Sequence, residues 1–166
     1  MKPPIAFLGM MLLMSNIFSQ NTASMKLTVL PAKAKADSIE VLIQITNVSD
    51  SSLNFVKPSV DLVNFHILEF VAFGMKQKDS VYYHSDDLQL DQIIAHKKGC
   101  DLLKPGEGKE YLFSLDRKLF RSKEKDKKFK KISVEIIYSK DEIVCKDCDI
   151  PLFYGRLIAE NVVVYE

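Results

Sequence analysis

The sequence predicts an all-β fold, an antiparallel β-sandwich of about seven strands. Three observations carry that expectation. Ile39, Val41, Ile43 and Ile45 alternate with Glu40, Leu42, Gln44 and Thr46, the period of two that a half-buried strand requires. Ile132, Val134, Ile136 and Tyr138 share one face in the same way near the other end of the chain. Turn-forming clusters separate such runs, and no sustained amphipathic helix lies between them.

The segment ahead of the first strand reads as an export signal. Met1-Lys2 is a short positive start, Ile5 to Met14 is almost wholly apolar, and small Ser19 precedes Gln20. That is the layout of a secretory signal peptide, residues 1–19, with cleavage expected after Ser19. An apolar run of about ten residues falls short of the roughly 20 that a spanning helix needs, so a retained anchor is the weaker alternative. The first cysteine is Cys100, which argues against a lipid anchor near the cleavage point. Residues 20–166 are then expected to form a single β-sandwich domain, secreted or periplasmic, with no stable membrane insertion after signal cleavage.

Met25 to Pro31 is the first predicted strand, ended by Pro31. Ala32 to Ala36 alternates Ala with Lys and reads as a solvated connector. Ser38 to Pro58 is the centre of the pattern. It holds a strand to Asn47, a turn whose Asn, Ser and Asp side chains bond local backbone, and a return through Leu53, Phe55 and Val56. Val60 to Phe73 is the most apolar part of the mature chain, and its Val, Ile and Phe enrichment ahead of Gly74 predicts a strand over a helix. Gly74 to Asp79 is a polar turn, and Ser80 to His84 a short returning strand. Asp86 to Lys98 fits neither period and reads as a long loop with a helical turn. Leu103-Lys-Pro-Gly-Glu-Gly108 is a strong turn signal. Glu110 to Asp116 and Lys131 to Ser139 are strands flanking a basic run. Gly155 to Glu166 closes the chain, with Leu157, Val162 and Val164 as core candidates.

Composition bounds the function. A chain of 166 residues with 47% hydrophobic and 27% charged residues is one ordinary globular domain with enough apolar material for a core. A net charge of +1 points to neither a nucleic-acid binder nor a binder of acidic substrates. Ten Phe and six Tyr must supply the bulky core side chains, since Trp is absent.

The stretch from Ile39 to Pro58, the Leu-Lys-Pro-Gly-Glu turn and the closing Ile-Ser-Val-Glu-Ile-Ile-Tyr-Ser … Tyr-Gly-Arg-Leu-Ile-Ala-Glu-Asn-Val-Val-Val resemble bacterial immunoglobulin-like domains of exported proteins. The leader ending Phe-Ser-Gln is similar to those of Bacteroidota. The matching stretches cover about half of the mature chain and consist of strand and turn motifs, so the resemblance implies fold more than activity. It implies an immunoglobulin-like sandwich, with distant similarity to proteinase-inhibitor relatives of that fold. A pair of cysteines around a core Trp, the hallmark of antibody-type domains, is absent.

Cys145-Lys-Asp-Cys148 is the most chemical motif. A redox CxxC needs a helix N-terminus to lower the thiol pKa, whereas Asp147 and Asp149 should raise it. A zinc site would use Cys100, Cys145 and Cys148 and needs a fourth ligand, for which His96 has the best spacing. A loop disulfide or free thiols is the expected state. The run Arg117 to Lys131 holds nine Lys or Arg against Glu124 and Asp126, interleaved with Leu119, Phe120 and Phe129. Lys127, Lys128, Lys130 and Lys131 could contact an anionic partner. Against that stands a solvated hairpin loop whose lysines keep a strand edge from pairing. The aromatics are too few for a nucleic-acid stacking platform. Gly106-Glu-Gly108-Lys109 lacks phosphate-loop spacing, Asp86, Asp87 and Asp91 lack a calcium-loop pattern, and common hydrolase signatures do not occur. Asn47-Val-Ser49 matches a glycosylation acceptor. No catalytic residue and no cofactor is expected. The sequence therefore predicts an exported non-catalytic binding or structural module of the cell envelope, whose partner is a protein or an anionic glycan. A proteinase-inhibitor-like domain is the first alternative, needing an extended loop at Asp86 to Lys98 or Arg117 to Lys131. A thiol or zinc protein is the second.

Overall fold

The strongest alternation in the sequence becomes the axis of the structure, a computed structural model that describes residues 24–65, 67–74, 80–83, 93–120, 128–150 and 152–165. The N-terminal segment 1–19 that the sequence suggests is a leader, His66, His84, the Asp86, Asp87 and Asp91 group, and Lys127 lie outside the described residues. The described strands are β1 (Met25–Val29), β2 (Ala32–Ala34), β3 (Ser38–Asn47), β4 (Leu53–Val56), β5 (Leu68–Phe73) and β6 (Ser80–Tyr82). They continue with β7 (Ile93–Ala95), β8 (Cys100–Leu103), β9 (Gly108–Asp116), β10 (Lys131–Tyr138), β11 (Ile143–Cys145) and β12 (Gly155–Tyr165). The chain is all-β and mostly antiparallel, as expected, but it holds twelve described strands rather than about seven, several of them, such as β2, β7 and β11, too short to show a period in sequence.

Strand β3 buries Ile39, Val41, Ile43 and Ile45 completely and turns Glu40, Leu42, Gln44 and Thr46 the other way. It pairs antiparallel with β9 along one side and with β1 and then β2 along the other. Strand β2 also runs parallel to the end of β12, Ala32 opposite Val163 and Ala34 opposite Tyr165. From there the pairing continues through β10 and β5 to β6. The two halves of this path fold face to face. Phe70 of β5 meets Phe113 of β9 with ring centroids 5.1 Å apart, although several strands separate them along the path. One apolar core fills the space between, as alternation on both halves requires.

The turn after β3 forms as its residue types dictate. Asn47 is fully buried, and its Nδ2 donates to the carbonyls of Ser51 (2.7 Å) and Leu103 (3.0 Å). Its Oδ1 accepts from the Ser49 N–H at 2.9 Å and the Ser49 hydroxyl at 2.7 Å. The folded chain therefore shields the amide that the glycosylation pattern would need. Gly106 takes a φ of 76°, the left-handed region that favours glycine, and donates to the Asn47 carbonyl at 2.9 Å.

Three expectations are corrected. Ala32 to Ala36 is not a solvated connector. Ala32 and Ala34 are buried in β2, where small side chains suit two closely approaching neighbours and only Lys33 faces out. Val60 to Phe73 is not one strand, because Val60–Phe65 forms a 3-10 helix ahead of β5. Leu62 and Val63 are consecutive and both buried, which a tight helical turn permits and an alternating strand does not. Val162 and Val164 are about half exposed. Leu157 and Ala159 fix the inward parity of β12, so Val163 is the buried valine.

Candidate functional site

Cys100, Cys145 and Cys148 are brought together by three short strands that carry no periodic signal. β11 runs parallel to β7, Cys145 opposite Ala95, and the Lys146 N–H donates to the Ala95 carbonyl. The chain after β7 makes a 3-10 turn over Lys97–Gly99 and enters β8 at Cys100. β8 pairs with β4, placing Cys100 opposite Val56. Asn54 of β4, itself buried, donates from Nδ2 to the Ile150 carbonyl at 3.0 Å, and its own carbonyl accepts from the Phe153 N–H at 2.6 Å. That clasp holds the Cys145–Cys148 loop against the start of β8. The loop with a helical turn expected over Asp86 to Lys98 is corrected in part, since Ile93–Ala95 is a strand paired with β11, residues 86–92 lie outside the described residues, and the 3-10 turn Lys97–Gly99 delivers Cys100 to the cluster.

Cys145 and Cys148 are joined in a disulfide, and Cys100 is the remaining thiol. The Cys100 and Cys148 sulfurs are 3.9 Å apart, and all three sulfurs lie within 4.8 Å of one another. All three residues are half-buried. Burial pushes the Cys100 thiol pKa up, and Asp147 adds to the rise against an opposing pull from Lys57. The bonded pair sits at the end of a strand rather than a helix N-terminus, so the redox reading loses the dipole that would activate it. Asp147 flanks the cluster. Its Oδ1 lies 3.9 Å from Cys145 Sγ and 3.8 Å from His96 Nδ1, and accepts from the Lys97 N–H at 2.8 Å. Lys97 Nζ pairs with Asp149 at 2.5 Å, which latches the turn to the loop.

Beside Cys100 lies a charge network that sequence reasoning missed. Asp101 is buried; its carboxylate accepts from Lys109 Nζ and the Tyr111 hydroxyl, each at 2.6 Å, while Lys57 Nζ lies 3.8 Å away. Burial works to raise the Asp101 pKa, but the Lys109 and Tyr111 hydrogen bonds and the two ammonium charges outweigh it and leave it below the usual carboxylate value. The same burial pushes the Tyr111 hydroxyl well above its ordinary value, reinforced by Asp101. Nothing in the run Cys-Asp-Leu-Leu announces a buried acid.

The basic run is described only at its ends. Arg117–Leu119 forms a 3-10 turn capped by Asp116, which accepts from the Lys118 N–H at 2.8 Å. Phe120 and Phe129 are buried and packed together at 5.6 Å, so the two aromatics anchor the run to the core instead of lining an outer face. Lys128 lies over the Tyr165 ring at 5.6 Å, Lys130 is exposed, and Lys131 forms an ion pair with Glu160. Of the two segments considered for an inhibitor loop, Ile93–Ala95 is tied to β11 and Lys131 begins β10. Among the described residues no helix is long and apolar enough to cross a membrane.

An all-β chain in which β8, β11 and the loop after β11 bring three cysteine sulfurs together is the class that these observations define. No protein family matches the chain, and no curated protein matches it. Among solved structures, the crystal structure of selenomethionine-labelled β-glucosidase from Kluyveromyces marxianus is similar, at 16% identity and a TM-score of 0.38. The similarity covers 86% of this chain and 15% of the glucosidase, and at that level it carries no argument about fold or activity.

Proposed function

We propose that the chain is an exported, non-catalytic binding module built on an immunoglobulin-like sandwich. The strand arrangement supports the immunoglobulin-like reading. The N-terminal strand is interrupted at Pro31, its first half pairing with β3 and its second running parallel to the last strand. The pairing β12–β10–β5–β6 on one side and β3–β9 on the other has the order expected of that architecture.

The observation that carries the binding reading is Leu112. It is 66% exposed in the middle of β9, directly opposite half-buried Leu42 on the outer face. Among the described residues β9 pairs with β3 alone. An apolar pair held outward on a face otherwise made of Glu40, Gln44, Glu110 and Ser114 offers a protein partner apolar area to bury. The lysines support an anionic glycan less well, since Lys131 is already paired with Glu160 and Lys128 lies over Tyr165.

The test is capture of partners from the source's envelope fraction by the native chain and by Leu112→Glu. The variant should lose the captured protein while keeping its melting temperature, because Leu112 contributes little to the core. Undiminished capture by Leu112→Glu would remove this face from the interaction. Export is checked separately, by the intact mass of the secreted protein, which should begin at Gln20.

A further inference from the structure

The partner surface makes no use of the sulfur cluster, and the cluster gathers three cysteine sulfurs of the kind a metal site uses. Tetrahedral zinc with Zn–S distances of about 2.3 Å sets sulfur–sulfur edges of about 3.8 Å. Cys100 and Cys148 already stand 3.9 Å apart, and Cys145, bonded to Cys148, lies within 4.8 Å of Cys100, so that opening the bridge leaves a triangle of three thiols around one point. We propose that, once the Cys145–Cys148 bond is reduced, Cys100, Cys145 and Cys148 bind one soft d10 cation, zinc or an ion like it, as three thiolates.

The triangle is built into the fold. Its corners come from β8, from the end of β11 and from the loop beyond it, and Asn54 and the Lys97–Asp149 pair hold those segments together. A fourth donor is at hand in Asp147, whose Oδ1 is 3.9 Å from Cys145 Sγ. His96 lies behind it, its Nδ1 3.8 Å from the same oxygen, where it would orient a ligating carboxylate.

Disulfide and metal exclude each other, because the thiolate is the ligand and a bridged sulfur has none to offer. Opening the bridge takes two electrons and two protons. An external dithiol supplies both and leaves as its own disulfide. Zinc then displaces the thiol protons to solvent. The bridged form is therefore the metal-free state, and the dithiol form is the one that loads.

Native protein reduced with a phosphine and freed of reductant under nitrogen is titrated with zinc, then alkylated and weighed. Without zinc it should take alkyl groups on all 3 cysteines. With one equivalent of zinc all three should be protected, and unreduced protein should bind no zinc. Cys100→Ser should weaken zinc binding at least about tenfold, with circular dichroism reporting whether it folds. Alkylation of Cys100 in the presence of zinc would overturn the proposal without any variant. So would binding that is unchanged in folded Cys100→Ser, or an absence of binding by the reduced native chain.

Discussion

Ile43 and Gln44 are neighbours on β3 with opposite surroundings, one wholly buried and one half-exposed. Ile43→Asp should unfold the chain, since an unpaired buried carboxylate costs several kcal/mol against a total stability of roughly 5–15 kcal/mol. Gln44→Asp should shift the melting temperature only slightly, and equal melting temperatures for the two would refute this register. Residues of this kind were legible, because β-branched alternation dictates which side faces inward. Asp101 was not, since its burial depends on Lys109 and Tyr111 arriving from the neighbouring β9. Its folded pKa lies below the ordinary carboxylate value, so the carboxylate stabilises the fold above its unfolded pKa. That contribution is lost as pH falls through the lower folded value. Melting temperature measured from pH 7 down to pH 2 should fall more steeply for native protein than for Asp101→Asn, starting from about pH 4. Parallel curves would show that Asp101 gains nothing from its partners.

At the scale of an element, hydrophobic bulk decided what could be read. β3, β9 and β10 announce themselves; β2 does not, because Ala carries too little apolar surface to mark a strand. Burial of both alanines gives a direct check. Ala34→Leu should destabilise by about 1–3 kcal/mol through overpacking between β3 and β12, measured by urea unfolding. A connector would absorb the change without loss. The strands around the cysteines escaped for another reason. β7 and β11 have three residues each, too few to display a period, so the meeting of Cys100 with Cys145 and Cys148 is a product of tertiary pairing. In the basic run, Lys127, Lys128, Lys130 and Lys131 can be tested together. Their replacement by Gln should cost no more than about 1 kcal/mol, as the Lys131–Glu160 pair is partly exposed. If salt-dependent binding to an anionic glycan vanishes in that variant while Leu112→Glu retains it, the lysines rather than Leu112 form the contact. If the variant instead binds normally but aggregates, the lysines guard a strand edge.

For the whole molecule, all-β character and antiparallel pairing followed from period and turns, whereas the route between the two halves did not. That route runs through β2, whose parallel partner is the last strand in the chain. Its consequence is mechanical. If the chain is stretched between Met25 and Tyr165, β1 takes the load first, and once it parts from β3, β2 and β12 are drawn in opposite directions along their own axes. These parallel strands are then loaded in shear, so the hydrogen bonds between Ala32–Ala34 and Val163–Tyr165 share the load instead of opening one after another. Pulling should therefore meet its highest rupture force at this pair, and Val164→Pro, which removes a backbone donor from that segment, should lower it. A tether between two surfaces would profit from a fold that yields late under tension.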